Sequence, residues 1–376
     1  MDKRVVKAMG PYLDELYGNP GSAHNIGHLA KRAVSAAREQ VAALFNCTPE
    51  HIIFTSGGTE ANNLMIKGST DYLRGYGKYC FVTSMLEHTS MVESIRYVCR
   101  TDPFYIRYVP YFGMNHPEEY MKDDTGMVSL MYINNETGEI TDIRYIAEEC
   151  RRRDILCGFD CVQACGYRSL DTEDIPADYM SISAHKIGGP KGIGALYVRD
   201  PEKLQPLIHG GAEQEYGLRG GTENVAAIVG FGKAAQLAET EHDLRTNQVV
   251  NADLAFRTEL ENGLECYGLE QILHYNIARD RRYTSKVRNL RFDGIDGETL
   301  IMALDAKGVF ISAGSACTAG EAKPSHVLRT MGLGRKEAAE SVRVSFNYDT
   351  TEEEAAKAGH IMADTVCELK RLAVRS

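Results

Sequence analysis

Ser183-Ala184-His185-Lys186 closes an apolar run that begins at Tyr179, and Gly188-Gly189-Pro190-Lys191-Gly192 comes almost at once after it. Read as a strand ending in a polar tetrad and a glycine turn, this stretch calls for a sheet that presents functional side chains at the carboxyl ends of its strands. A lysine held at such an end, beside a histidine and a serine, is placed to form a Schiff base with an aldehyde cofactor that carries a phosphate. That chemistry points to pyridoxal 5'-phosphate. For a lone His-Lys pair a solvated surface lysine is the plainer reading, so the choice rests on the flanking stretches.

Working outward, the same strand-and-helix rhythm recurs on both sides. Apolar and small residues at Leu29, Ala33, Ala36, Ala37, Val41 and Leu44 keep helical spacing, which predicts a helix from about His28 to Phe45 behind the turn-rich loop Gly18 to His24. His51 to Thr55 reads as a strand, Ser56-Gly57-Gly58-Thr59 as a tight turn, and Glu60 onward as a helix. Backbone N–H groups and the positive helix end converge at such a junction, making it a ready anion site. Further strands are predicted at Tyr79 to Thr83, Tyr105 to Val109, Val128 to Ile133, Ile155 to Asp160 and Gly194 to Val198, with helices at Thr89 to Arg100 and Ile143 to Arg153. The alternation argues for an α/β fold with a mostly parallel sheet covered on both faces. Thr59, His88, Asn135, Asp160 and Lys186 all fall at or just after strand ends, where such sheets bind ligands.

Beyond a glycine-rich loop ending Arg219-Gly220-Gly221-Thr222, two long helical patterns run from about Glu223 to His242 and Leu244 to Gly263. The pattern then changes to a smaller α+β unit: a strand Val287 to Phe292, a helix Gly297 to Lys307, a short run Val309 to Ser312, a loop around Cys317, a strand Val342 to Phe346 and a last helix. Thr351 and Glu354 form a capping box for that helix. The expected division is a large cofactor-binding domain over residues 12–245 and a small domain over 246–376, with 1–11, that carries the Cys317 loop.

Bulk composition narrows the function classes. With 376 residues, 43% of them apolar and 25% charged, the chain is an ordinary globular protein of two domains. A formal charge of -10 disfavours non-specific nucleic-acid or anionic-membrane binding, so any phosphate must be held by a local site. No run of about 18 apolar residues is present and the start shows no leader pattern. The ten cysteines show no regular framework. Reduced thiols and a cytoplasmic location are expected. Cys157, Cys161 and Cys165 lie close together in sequence, but no second zinc-type pair accompanies them, and no metal is expected.

Pyridoxal phosphate needs a lysine, a carboxylate on the ring nitrogen, a stacking group and a phosphate cradle. Asp160 can hold the ring nitrogen protonated, Gln163 can reach the ring hydroxyl, and His88 can lie over the ring and handle protons. Each has a plain alternative in turn or helix-entry chemistry; their agreement in order favours the cofactor.

The stretches Thr55-Ser56-Gly57-Gly58-Thr59-Glu60-Ala61-Asn62-Asn63, Glu87-His88, Asn134-Asn135-Glu136-Thr137-Gly138, Asp160-Cys161-Val162-Gln163 and Ser183-Ala184-His185-Lys186 belong to one recognisable series. Gly189 to Gly194, Arg219-Gly220-Gly221-Thr222 and Ser312-Ala313-Gly314-Ser315-Ala316-Cys317-Thr318 continue it. Over nearly its whole length the chain resembles the class V aminotransferase family of fold-type I pyridoxal-phosphate enzymes, and within it the cysteine desulfurases of the NifS/IscS group. The resemblance implies Lys186 as the Schiff-base lysine and Gly58, Thr59, Ser183 and His185 as phosphate ligands. Thr222 would reach the phosphate of a neighbouring subunit, hence a homodimer. It implies cofactor or substrate contacts for Asn135, Asp160 and Gln163, His88 stacked on the ring, Arg343 clamping the substrate carboxylate, and Cys317 accepting sulfur. L-cysteine would be the substrate, and a sulfur-acceptor or Fe-S scaffold protein the partner.

Family members usually open with a segment like Tyr-Leu-Asp-Asn-Ala-Ala-Thr-Thr, whereas Met1-Asp2-Lys3 already matches the part of the family pattern beyond that segment. A pyridoxal-phosphate-binding but catalytically silent protein that acts through partners is therefore the reading from another class. A selenocysteine lyase, or another class V lyase or aminotransferase, is the alternative among enzymes. Ala184 where glycine is usual, and Phe346-Asn347-Tyr348 after the arginine strand, are further departures.

Overall fold

A computed structural model of the chain describes residues 1–114, 116–277, 281–313 and 324–375. The chain divides into two units, Met1–Ile133 with Thr141–His242, and Asn134–Ile140 with Asp243–Ser376.

The first unit is built on a seven-stranded sheet of β1 (Ile52–Thr55), β2 (Cys80–Ser84), β3 (Tyr105–Val109), β4 (Thr125–Met131), β5 (Leu156–Asp160), β6 (Tyr179–Ser183) and β7 (Gly194–Val198). Its order is β1-β7-β6-β5-β4-β2-β3. β7 runs antiparallel to both neighbours, and the other paired strands are parallel. Every residue of β1, β2 and β4 to β7 is buried, which is why these strands read as continuous apolar runs rather than alternating ones. The same unit holds helices α1 (Lys3–Leu13), α2 (Asn25–Ala43), α3 (Gly58–Gly68), α4 (Thr70–Gly75), α5 (Thr89–Thr101), α6 (Ile143–Arg152) and α7 (Val225–Thr240). Leu64 and Met65 of α3 and Met91 and Ile95 of α5 pack with Phe81 and Met127 in one apolar cluster. α2 and α7 approach closely, because a Cβ on Gly232 would lie 2.6 Å from the Ala37 Cα.

Residues 1–11 lie with this unit, not with the small one as expected. Val5 of α1 is fully buried, Met9 packs where a Cβ on Gly230 of α7 would fall, and Asp2 N donates to Gly188 O at 2.9 Å. The helix is hard to read from sequence because Gly10 and Pro11 look like breakers, yet both lie inside it, within its last turn.

The second unit holds a four-stranded antiparallel sheet of β8 (Leu273–Tyr275), β9 (Val287–Phe292), β10 (Ser312–Ala313) and β11 (Ser341–Ser345), ordered β10-β11-β9-β8. Its helices are α8 (His242–Cys266), α9 (Gly297–Asp305), α10 (His326–Thr330), α11 (Arg335–Ala339) and α12 (Glu352–Arg375). The capping box at α12 is formed: Thr351 Oγ1 accepts from Glu354 N at 3.1 Å and Glu354 Oε2 from Thr351 N at 3.0 Å. Asn134–Ile140 joins this unit through Thr284 N to Gly138 O at 2.9 Å and Asn289 Nδ2 to Glu136 O at 3.1 Å. Among the described residues no helix is long and apolar enough to cross a membrane, and no group of His, Cys, Asp and Glu is arranged to hold a metal.

Candidate active site

In the first unit the site is assembled at the carboxyl ends of β5 and β6. Asp160 is the last residue of β5 and stands opposite Ser181 in parallel register. Two residues beyond Ser181, β6 ends at Ser183, and Lys186 comes next in the short helical turn Ala184–Ile187. Gly188, at φ 89°, closes that turn in a conformation that suits glycine. The Asp160 carboxylate and the lysine-bearing tetrad thus leave the sheet from adjacent strands.

Asp160 is 4% exposed, so its carboxylate needs donors. Its Oδ2 accepts from Asn62 Nδ2 at 2.8 Å and its Oδ1 from Val162 N at 3.0 Å. Asn62, buried on α3, also accepts from Ser181 Oγ at 2.6 Å and donates to Ser90 Oγ at 3.0 Å. Ser90 Oγ lies 2.8 Å from His88 Nδ1, and Ser90 N donates to the same nitrogen at 3.2 Å. A neutral His88 that accepts at Nδ1 carries its proton on Nε2, which faces away from this network. One buried asparagine therefore orients both the carboxylate and, through Ser90, the histidine. Sequence places Asn62 within a motif and assigns it no role; an asparagine on the apolar face of a helix is the one signal that could have marked it.

The start of α3 forms the second part. Gly57, at φ 151°, stands at its N-cap without a side-chain cap. A Cβ on Gly58 would lie 2.6 Å from Val162 Cγ2, and one on Gly194 would lie 2.7 Å from Gly57 Cα. Glycine at 194 permits the close backbone approach to Gly57, and glycine at 58 leaves room for the Val162 side chain. Ser183 Oγ lies 3.9 Å from where a Cβ on Gly57 would stand, and is 2.9 Å from His185 Nδ1. Helix start, bare turn and hydroxyl thus converge on a space suited to a phosphate. Thr59, His88 and His185 are exposed, Lys186 is half-buried, and Gln163 is buried in the turn after β5. Thr222 is exposed in the loop before α7.

Glu87, beside His88, is 1% exposed and accepts from Ser84 Oγ at 2.6 Å. Burial, with the charge of Asp160 adding to it, pushes its carboxyl up to about 8.

In the second unit, Arg343 of β11 donates from Nη1 to Asn135 O at 3.0 Å. Its Nε is buried and makes no hydrogen bond among the described residues. Burial lowers the Arg343 pKa, and the charge of Glu136 works against that. Glu136, to which sequence assigns no role, is 7% exposed and accepts at Oε2 from Ser325 Oγ; burial pushes its carboxyl up. Ser312 of β10 pairs in register with Arg343. Cys317, with Gly314 to Thr318 around it, lies outside the described residues. The structure brings Asp160, Gln163 and the Ser183 to Lys186 tetrad together with the Gly58-Thr59 turn in one unit, and Asn135 with Arg343 in the other.

Residues 1–357 match the aminotransferase class-V family. The chain is 39% identical over 384 residues to the protein named cysteine desulfurase IscS of Neisseria meningitidis serogroup C, across 99% of this chain and 91% of that protein. A solved structure titled NifS-like protein superposes with a TM-score of 0.86 at 31% identity, covering 99% of this chain and 96% of that one. Another, titled SspA in complex with cysteine, gives 0.76 at 31% identity over 92% and 96%.

Proposed function

This chain belongs to the aminotransferase class-V family, and we propose that within it the protein is a pyridoxal 5'-phosphate-dependent cysteine desulfurase. The observation that carries the proposal is the emergence of Asp160 and the Lys186 tetrad from adjacent parallel strands, with Asn62 bonded to both Asp160 and Ser181. Relatives bearing the name cysteine desulfurase, and a neighbour solved with cysteine, support the choice of substrate.

When bound, the cofactor supplies an electron sink for the pair left when a substrate loses its α-proton. Lys186 Nζ would hold the aldehyde and would take that proton. Asp160, fixed by Asn62 and Val162 N, keeps a proton on the ring nitrogen. His88 would stack on the ring and Gln163 would reach the ring hydroxyl. Gly58, Thr59, Ser183 and His185 hold the phosphate, completed by Thr222 of the neighbouring subunit in a homodimer. Arg343 Nε, buried and with no hydrogen bond among the described residues, is a donor that the substrate carboxylate would satisfy, since an unmet buried donor is costly; Asn135, whose carbonyl fixes Nη1, would contact the substrate beside it.

Sulfur transfer falls to Cys317. Its thiolate attacks the substrate sulfur, the carbon–sulfur bond breaks, and the bonding pair returns to carbon, which takes a proton. L-alanine leaves and a persulfide stays on Cys317, for delivery to a sulfur-acceptor or Fe-S scaffold protein in the cytoplasm.

The test is direct. Purified protein with cysteine should release alanine and carry a persulfide on Cys317. Lys186→Ala should lose the visible band of the bound cofactor, whereas Cys317→Ala should keep the band and transfer no sulfur. A protein that stays colourless with added pyridoxal phosphate rules the assignment out.

A further inference from the structure

The loop between β7 and α7 contains a strained segment with no part in that chemistry. Glu215 (φ 42°, ψ 44°) and Tyr216 (φ 57°, ψ 29°) are consecutive non-glycine residues in the left-handed region, and Gly217 comes next at φ 80°. Residues with a Cβ reach that region at a cost, and such strain persists where the surroundings over-determine it, often beside a working site.

Here the surroundings are a buried ion pair. Arg38 of α2 is 8% exposed and Glu215 5%. Arg38 Nη1 donates to Glu215 Oε2 at 2.7 Å and Nη2 to Oε1 at 2.6 Å. The pair is also fastened to β1, because Phe54 N donates to Glu215 Oε2 at 2.7 Å and Arg38 Nη1 to Ile52 O at 2.6 Å. The guanidinium lies 4.6 Å from the Phe54 ring centre and 5.3 Å from that of Tyr216. Burial works to lower the Arg38 pKa, yet the Glu215 carboxylate holds it raised.

Further bonds brace the loop on itself and to the start of α3. Gln214 Oε1 accepts from Gly211 N at 3.2 Å and Gly221 N at 2.7 Å. Arg219 Nε donates to Glu60 Oε1 at 3.0 Å, while Glu60 Oε2 accepts from Ser56 N at 2.8 Å. Burial pushes the Glu60 carboxyl up, but its bonds to Arg219 and Ser56 hold it below the ordinary value. Ser56 and Glu60 bracket Gly57, Gly58 and Thr59. The loop is thus secured, up to the residue before Thr222, to the strand and turn that form the phosphate cradle.

We propose that Glu215, clamped by Arg38, is a positioning residue that holds the loop on its own framework and so aims Thr222 at the cofactor phosphate of the neighbouring subunit. The inference rests on the cofactor reading given under Proposed function. A clamp that served folding alone would affect every ligand of the site equally. One that aims Thr222 acts only through the phosphate.

Two aldehydes separate these roles. The unliganded full chain is titrated with pyridoxal 5'-phosphate and, separately, with pyridoxal, which has the same ring and aldehyde but no phosphate; visible absorbance reports binding. For Glu215→Gln, affinity for pyridoxal 5'-phosphate should fall about tenfold or more while affinity for pyridoxal stays within about twofold of wild type. If that variant does not fold, the double variant Arg38→Met with Glu215→Met removes both buried charges at similar volume, a change that buried pairs often tolerate, and the same split is expected of it. Equal losses for both aldehydes, or no loss for either, overturn the proposal while leaving the cofactor reading intact. A wild-type chain that binds neither aldehyde overturns the cofactor reading and this proposal together.

Discussion

At the scale of single residues, Glu87 and Asn62 make the sharpest claims. A carboxyl whose pKa in the folded chain is about 8, against an ordinary 4.5, favours folding in its neutral form. That contribution is complete below pH about 4.5 and is lost as the pH rises toward 8, because the unfolded chain ionises freely while the buried group resists. Converted at 1.36 kcal/mol per pKa unit, the loss is on the order of 5 kcal/mol. Melting temperatures should therefore fall between about pH 5 and pH 8 for wild type, more steeply than for Glu87→Gln, which has no such proton to lose. Superimposable pH profiles for the two proteins contradict this. Asn62→Ala takes away the common partner of Asp160, Ser90 and Ser181. Urea titration should show a loss of about 1–3 kcal/mol, the usual cost of stranding buried polar groups.

Elements of secondary structure are readable where burial makes a continuous apolar run. β5, β6, β7 and β9 lie within a residue of their expected ends for that reason. β4 begins earlier than expected, at Thr125-Gly126, because polar Thr125 is fully buried and Gly126 packs on Leu73 and Lys78. Such packing is a tertiary fact with no local signature. The same holds for the site. Lys186, Asp160 and the glycine turn announce themselves by chemistry and order, whereas Glu136 and Asn62 matter through partners far away in sequence. The left-handed pair Glu215-Tyr216 is equally illegible, since neither residue type marks a turn. Packing between α2 and α7 makes an element-scale prediction. A Cβ on Gly232 meets the Ala37 backbone, which cannot rotate aside, so Gly232→Ala should force the helices apart. A loss of about 1–3 kcal/mol is expected, read as an earlier denaturation midpoint with unchanged slope. At α12, Thr351→Ala should cost about 1 kcal/mol, since it breaks one half of a formed capping box.

For the molecule as a whole, the proposed function links cofactor binding to the stability of the fold. A ligand bound only by the folded chain stabilises it by about 2.7 kcal/mol at one hundred times its dissociation constant. Pyridoxal 5'-phosphate should therefore raise the melting temperature of wild type, and raise that of Lys186→Ala much less. Against the chain's net charge of -10, the proposed phosphate would depend on local donors at the start of α3, the Gly57-Gly58 turn and Ser183. The proposed function depends on one covalent attachment, at Lys186, just after the strand next to that of Asp160. Borohydride reduction of the protein loaded with pyridoxal 5'-phosphate, and then peptide mass spectrometry, fixes that attachment permanently and locates it. The expected result is a reduced phosphopyridoxyl group on the peptide containing Lys186 and on no other lysine; its appearance elsewhere, or nowhere, contradicts the assignment.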